Sequence, residues 1–425
     1  MRSEMLSVDN RYKFVPYPKA RFMVMSDIHC YDNNLGVDGP AYQRMIAQNN
    51  EIKLMKDSED ILDAVLADVE LQQVDFLLIC GDLTREGEME SHQLVVAKLE
   101  TLVKRGIPVF VINGNHDINN HRARKYVEDK EIVIPSITGS QFSELYSAFG
   151  FGQAIHRDPH SLSYAVQPVP GLWLLALDSC LWEKGFKVEG LFSRQTLAWI
   201  EQVLEDAKRQ GIPVIGMMHH GVLEHFRENA KYYSDYIVTD FQKVSRLFAK
   251  HGLSIVFSGH FHCQDVAFQQ FTETDFLYDI ETGSLVTYPC PYRMIHMEGE
   301  VMEVKSKRIT ETAQHGGAFA SYAYESSYNL AALAVAKTLV RWRVPARDVE
   351  RLVPQIVRAF QVHCEGNEEA APTAEVIDLA GVGRWGRFIL TLKKPLLESL
   401  WKALPPPDNQ LVINLRTGNY SGIDG

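Results

Sequence analysis

Five short polar segments constrain this chain more than anything else in it: Asp27-Ile28-His29, Gly81-Asp82, Gly114-Asn115-His116-Asp117, His219-His220 and Gly259-His260-Phe261-His262. Each follows an apolar run: Phe22 to Met25, Phe76 to Cys80, Val109 to Ile112, Pro213 to Met218 and Ser254 to Ser258. Short apolar runs of this kind read as buried strands. Five strands of one sheet that all end in polar residues can bring those residues to one point, because open α/β folds gather their sites at strand ends.

The surrounding pattern supports a layered α/β unit. From Phe22 to about Met297, apolar runs alternate with amphipathic stretches. Glu88 to Lys104, Ser193 to Gln210 and Asp240 to Lys250 are predicted helices; Ser193 can cap the second, and Gly211 with Pro213 ends it. A long insertion, Tyr31 to Gln73, separates the first two polar segments and reads equally as a lid, a substrate wall or surface decoration. Beyond Glu298 the character changes. A small, polar stretch, Thr310 to Ser321, precedes amphipathic helices expected at Tyr328 to Arg341, Ala346 to Cys364 and Phe388 to Leu404. At 425 residues, one large and one small domain are expected, divided as 1–312 and 313–425. The second carries no metal or nucleophile pattern, so packing, capping of the site or a homodimer through this domain is its expected role.

A net charge of −11 argues against broad affinity for nucleic acid or an anionic membrane, while leaving room for a local phosphate site. Met1 to Lys19 lacks the apolar core of a signal peptide, and no segment approaches the roughly 20 apolar residues of a membrane span. The six cysteines show no CxxC spacing, so reduced thiols in a cytoplasmic protein are expected. Cys30 and Cys263 lie beside the polar segments and can be ligands or redox-sensitive thiols, but oxygen and nitrogen groups already fill two coordination shells there, which favours a small buried apolar role for both.

Carboxylate, amide and imidazole groups in this set suit a pair of metal ions. Asp27 and His29 alternate along an extended chain and so face one side. Asp82 can bridge two ions through its two oxygens, Asn115 offers an amide oxygen, and His219, His260 and His262 complete the set. Two ions about 3.5 to 4 Å apart polarise a phosphoryl oxygen, lower the pKa of a bridging water and clamp an in-line displacement. His116 points away from Asn115 on an extended backbone, which frees it to act as general acid. Asp117 either fixes the tautomer of His116 or caps the following loop, and is also a substrate-side candidate. Of the adjacent pair, His219 is taken as ligand and His220 as a phosphate-side group, with the reverse open. His121, Arg122 and Arg124 can reach phosphate or lie in a solvated loop; Tyr31 and Tyr42 can stack on a base, though packing is favoured.

These motifs resemble those of the calcineurin-like metallophosphoesterases: DxH, GDx, GNH[DE], HH or H, and GHxH, intact over roughly residues 20 to 300. The resemblance implies a four-layer fold, two mixed β-sheets flanked by helices. It implies one metal on Asp27, His29 and His262, a bridge at Asp82, the other metal on Asn115, His219 and His260, and His116 as general acid. Arg85 stands where purple acid phosphatases carry tyrosine and where the protein Ser/Thr phosphatase pattern GDxxDRG carries aspartate, a departure that disfavours both. The run Gly81 to Glu88, with Gly114 to Asn120, is most similar to bacterial cyclic-nucleotide phosphodiesterases, in particular longer members with a C-terminal helical domain. That implies hydrolysis of a small phosphodiester such as a 3',5'-cyclic nucleotide, with two divalent ions (manganese or iron favoured over zinc or cobalt) and no stable nucleic-acid or membrane partner. A phosphomonoesterase on the same metals, or a scaffold without catalysis, is the alternative. His220-Gly221-Val222 replaces the HHPP of many such enzymes, so the local substrate wall differs.

Overall fold

A computed structural model describes residues 14–49, 52–366, 377–402 and 404–422; most of the segment Met1 to Lys19 lies outside the described residues. The strands are β1 (Tyr17–Met25), β2 (Phe76–Ile79), β3 (Val109–Val111), β4 (Arg124–Val127), β5 (Lys130–Val133), β6 (His156–Arg157), β7 (Tyr164–Val169), β8 (Leu172–Leu177), β9 (Val214–Met218), β10 (Ile255–Ser258), β11 (Asp265–Gln270), β12 (Phe276–Glu281), β13 (Pro291–Gly299), β14 (Val301–Arg308), β15 (Gln410–Asn414) and β16 (Tyr420–Gly422). The helices are α1 (Pro40–Asn49), α2 (Ser58–Gln72), α3 (Met89–Lys104), α4 (Gly139–Leu145), α5 (Arg194–Gln210), α6 (Asn229–Tyr232), α7 (Phe241–Lys250), α8 (Phe319–Arg341), α9 (Ala346–Cys364) and α10 (Arg384–Ser399).

Two mixed seven-stranded sheets carry the fold, ordered β16-β15-β14-β13-β1-β2-β3 and β11-β12-β10-β9-β8-β7-β6. The alternation of side chains explains why an interior strand such as β8 is apolar along its whole length. Leu172, Leu174 and Ala176 of β8 enter the central core between the sheets, while Trp173, Leu175 and Leu177 pack against the helices outside, with Ile200 and Val203 of α5 and Phe248 of α7. Phe22 of β1 meets Phe257 of β10 edge to face at 5.6 Å, joining the two sheets. Val65 and Val69 of α2 and Val95 and Leu99 of α3 belong to the same central core, which makes the fourth layer.

The five motif-bearing strands do not share one sheet, as the apolar runs alone suggested. β1, β2 and β3 run parallel in the first sheet and β9 and β10 parallel in the second. Face-to-face packing brings both sets of carboxyl ends to one edge of the sandwich, so convergence survives the correction.

The caps follow local chemistry. Ser193 Oγ accepts the Thr196 N–H at 3.0 Å, and Gly211 takes the left-handed conformation that ends α5. The insertion divides in two: α2 is part of the helical layer, while Tyr31, Leu35, Tyr42 and Met45 form a small satellite core with Tyr126. Both tyrosines are buried there, in packing roles.

The C-terminal region is helical in α8, α9 and α10, around a core that includes Leu339, Leu352 and Leu390. The chain then returns: β15 pairs with β14, and Leu411 and Ile413 enter the central core. Residues 410–422 therefore belong to the first sheet even though they follow the helical module. Among the described residues no helix is long and apolar enough to cross a membrane.

Candidate metal centre

Asp27, His29, Asp82 and His262 form one group whose ligand atoms lie within 4.8 Å of one another, and Asp82, His219 and His260 form a second. Asp82 is common to both. Its Oδ2 lies 3.5 Å from His29 Nε2 and 3.4 Å from His219 Nε2. Asn115 joins the second group, its Oδ1 3.0 Å from His219 Nε2. His262 Nε2 stands 3.2 Å from Asp27 Oδ1 and 3.2 Å from His29 Nε2.

The backbone that presents these groups is not extended. Asp27, His29, Asp82, His260 and His262 all have positive φ, between 37° and 78°. Non-glycine residues adopt such angles at a cost of about 1–3 kcal/mol each, and persist there only when their surroundings hold them. Here the holding is visible. Asp27 N–H donates to Gly81 O (3.1 Å), His29 N–H to Asp82 O (2.9 Å), and Asp27 Oδ2 accepts from Ser26 Oγ (2.6 Å) and His260 N–H (2.9 Å). Two glycines make the approach: a Cβ on Gly81, itself at φ +93°, would lie 2.6 Å from His219 Nδ1, and one on Gly259 would lie 1.9 Å from Ser26 Oγ. Asp27 and His29 thus face the same side through left-handed turns at the strand end rather than through strand alternation.

These residues fit a pair of cations. Asp27 Oδ1 and Asp82 Oδ2 are fully buried carboxylate oxygens without a hydrogen-bond donor, a costly state unless a cation meets them. His219 Nδ1 lies 2.9 Å from the Cys80 carbonyl, which fixes that nitrogen as the N–H and turns Nε2 toward the site. Burial disfavours charge on His219, yet Asp82 and Asp27 outweigh it and push it up to about 10. A cation must therefore expel a proton there, and its uptake is expected to release acid and to weaken as pH falls, which proton release in an unbuffered metal titration would check. His29 and His260 lie well below the ordinary imidazole value because burial favours the neutral form, with Lys53 adding to it at His29 and His220 at His260.

His220 is turned away from both groups. Its Nδ1 meets Ser179 Oγ and its Nε2 the Val188 carbonyl, each at 2.8 Å. Both of its ring nitrogens are thus engaged by the protein, and through Val188 it anchors the 181–190 loop. Asp117 also departs from its assigned place: its two oxygens accept Gly114 N–H (2.8 Å), Leu83 N–H (3.1 Å), Thr84 N–H (2.9 Å) and Thr84 Oγ1 (3.1 Å). Fully buried and saturated with donors, Asp117 ties the Gly81-Asp82 loop to the Gly114-Asn115 loop. The His116 ring is not among the partners of its carboxylate.

His116 sits outside both ligand groups, its Nε2 3.9 Å from Asp82 Oδ2 and its N–H donating to Asp82 Oδ1 at 2.9 Å. Its Nδ1 meets Arg85 O (2.8 Å) and Glu86 Oε2 (3.0 Å), which leaves Nε2 pointing into the cleft. Glu86 was absent from the sequence-derived site, although it lies in the Gly81 to Glu88 run. Asn120 Nδ2 and Arg122 also hold it, at 2.6 and 3.0 Å. Burial would raise Glu86, but His116 and then Arg85 and Arg122 hold it down at about 2. Arg122 thus acts on Glu86, and Arg124 pairs with Glu131 at 3.0 Å.

Aromatic rings stand beside His116 and His260. Phe186 stands 5.2 Å from the His116 ring with the Arg122 guanidinium 4.7 Å over it, and Tyr236 lies 4.6 Å from His260. A further residue that the sequence did not reveal, Asp279 on β12, supports two motifs at once. Its carboxylate accepts Val222 N–H (2.5 Å) and Leu223 N–H (3.1 Å), just after His219-His220, and Ser258 Oγ (2.5 Å), just before Gly259-His260. His225 Nε2 adds a charge partner at 3.2 Å. Asp279→Asn is expected to weaken metal affinity about 10- to 100-fold with the fold retained. Metal titration beside circular dichroism checks this, and unchanged affinity would reduce Asp279 to a packing role.

The calcineurin-like phosphoesterase family model matches residues 20–264. Among curated relatives, the serine/threonine-protein phosphatase CPPED1 of Pongo abelii is 25% identical over 194 residues, covering 44% of this chain and 53% of that protein. Its Homo sapiens counterpart is 24% identical over 197 residues with the same shares. The chain spans about half the length of the curated relatives it matches. A solved dimetal phosphatase from Danio rerio is 16% identical, with a TM-score of 0.49 over 68% of this chain and 96% of that one. The purple acid phosphatase PPD1 from Lupinus luteus is 12% identical, with a TM-score of 0.43 over 69% and 53%. With the family model extending over more than half of the chain, from the strand before Asp27 to just past His262, this protein belongs to the calcineurin-like phosphoesterases.

Proposed function

We propose that the protein is a dinuclear-metal phosphodiesterase acting on a small phosphodiester, with 3',5'-cyclic nucleotides as the favoured class. The observation that carries this reading is the placement of Asp82 in both ligand groups with His116 beside them and outside them. Bound at Asp27, His29, His262, Asp82, Asn115, His219 and His260, two divalent ions, manganese or iron favoured, would supply charge neutralisation at phosphorus and acidify water. The chain's own groups do the rest. His116, held at Nδ1 by Glu86 and the Arg85 carbonyl, presents Nε2 to donate a proton to the leaving oxygen. Phe186 stands on that same side and offers an apolar face to whatever the leaving oxygen carries. Tyr236 stands beside His260, in the second ligand group, and offers a second aromatic face near the site.

A phosphomonoesterase is the second reading, favoured by the description of the curated relatives as serine/threonine-protein phosphatases. Metal-stripped protein assayed on cyclic nucleotides and on aryl mono- and diesters, with and without manganese, separates the two. Manganese-dependent turnover of diesters is the expected result; turnover of monoesters alone would replace the first reading with the second. Phe186→Ala is expected to lower kcat/KM for aryl diesters by about tenfold while leaving metal content unchanged, given the usual worth of one aromatic contact. Equal kcat/KM in the variant would remove Phe186 from the substrate wall.

A further inference from the structure

The metal-bearing loop after β10 touches the C-terminal helices at a pair of thiols. Cys263 directly follows His262, and Cys364 is the last residue of α9. Their sulfur atoms are 2.9 Å apart, across 101 positions of sequence, and both side chains are buried. That is well inside ordinary contact between two sulfurs and within an ångström of the roughly 2.05 Å of a disulfide. Cys180, by contrast, sets its sulfur 3.6 Å from a backbone carbonyl, that of Asn113.

The scaffold around the pair is built from both sides. Gln264 N–H donates to the Cys364 carbonyl at 3.2 Å, so the two chains bond to each other next to the sulfurs. Asn409 Nδ2 donates to the Glu365 and Gly366 carbonyls, at 2.8 and 2.7 Å, and Arg308 donates to Glu365 O at 3.1 Å. A Cβ on Gly366, at φ +62°, would lie 2.7 Å from Gln264 O, so the end of α9 is pressed against this loop. Both backbones are held in place whatever the state of the sulfurs.

We propose that Cys263 and Cys364 are a disulfide-forming site, closed by a peroxide, that clamps the end of α9 to the loop carrying His262. The sulfur of one thiol attacks a peroxide oxygen; the O–O bond breaks, one water leaves and a sulfenic acid remains. The sulfur of the second thiol then attacks the first, the S–O bond breaks, the S–S bond forms and a second water leaves. Two thiols and one hydrogen peroxide become one disulfide and two waters, with the sulfurs giving up two electrons to the peroxide. The sulfurs need to approach by less than 1 Å, so the contact of His262 with Asp27 is retained in the oxidised form. What changes is the freedom of the unfolded chain, because the new bond closes a loop of about a hundred residues, the length at which cross-links restrict it strongly.

The test uses the full chain, reduced and then treated with stoichiometric hydrogen peroxide, digested without reductant and mapped by mass spectrometry. The expected product is one linked peptide pair carrying Cys263 and Cys364, two hydrogens lighter than its parts and restored by dithiothreitol. Its unfolding midpoint should exceed that of the reduced protein by at least about 3 °C. Both thiols still open to alkylation, separate oxidation of each to sulfinic acid, or pairing with another cysteine would overturn the site, and a linked protein with an unmoved midpoint would overturn the clamp. Cys364→Ala should lose both the link and the shift; the comparison of oxidised with reduced wild type stands even if that variant folds poorly.

Discussion

Asp82→Ala is expected to abolish turnover and to empty both cation positions together. One carboxylate belongs to both ligand groups, with Oδ2 3.5 Å from His29 Nε2 and 3.4 Å from His219 Nε2, so its removal disturbs both at once. The loss should reach at least about 10³ in kcat/KM, since the charge stabilisation a catalytic metal supplies is worth several kcal/mol and each tenfold in rate costs about 1.4. Asp82 Oδ1 also accepts the His116 backbone N–H at 2.9 Å, so the same change loosens His116, the proposed general acid. The double variant with His116→Gln should consequently be little worse than Asp82→Ala alone. Elemental analysis of metal content beside activity checks this. A variant holding two equivalents of metal would show that the groups do not share Asp82.

His116→Gln is expected to leave both metals bound and to cost about 10² to 10⁴ in rate, most for substrates with basic leaving oxygens. Good leaving groups depart without a proton, so the slope of rate against leaving-group pKa should steepen. Equal losses across the series would remove the acid role. The pH profile provides an independent reading. Burial lowers the pKa of His116, but the charges of Asp82 and Glu86 outweigh it and raise it above 6.5. A general acid works while protonated, so a raised pKa carries activity to higher pH. A cation shared by Asp82 would screen that carboxylate, which leaves Glu86 as the charge that maintains the shift. Glu86→Gln should therefore move the alkaline limb of the profile to lower pH, with the metal content unchanged. An unmoved limb would show that Glu86 only orients the ring.

The residues of the two candidate ligand groups could be picked out because each sits at a strand end, and strand ends follow from local apolar runs. The helix caps were legible for the same reason: Ser193 bonds to Thr196, three residues on, and Gly211 ends α5 with its own backbone. Glu86 was harder to see. Nothing in the run Leu83-Thr84-Arg85-Glu86 shows that Glu86 will meet a ring nitrogen 30 positions later, and Asp279 reaches Val222 across 57. Phe186 lies in an irregular segment and Tyr236 in a single 3₁₀ turn, Ser234–Tyr236, where composition carries little information about which way a ring turns. Asp117 misled because its place in the third motif suggests a neighbour for His116, while the folded loops use it as a backbone tie.

By itself the sequence determined which residue types would be gathered and that they would gather at strand ends, since both depend on short-range patterning: two-residue alternation, buried runs and caps. Tertiary structure alone decided how the five strands divide between two sheets, the left-handed turns that aim Asp27, His29 and Asp82, the pairing of His116 with Glu86, and the return of residues 410–422 to the first sheet. It also placed Cys364 against Cys263. These are contacts between residues far apart in the chain, and their energies depend on how sheets and helices pack against one another, a property no local stretch of residues carries.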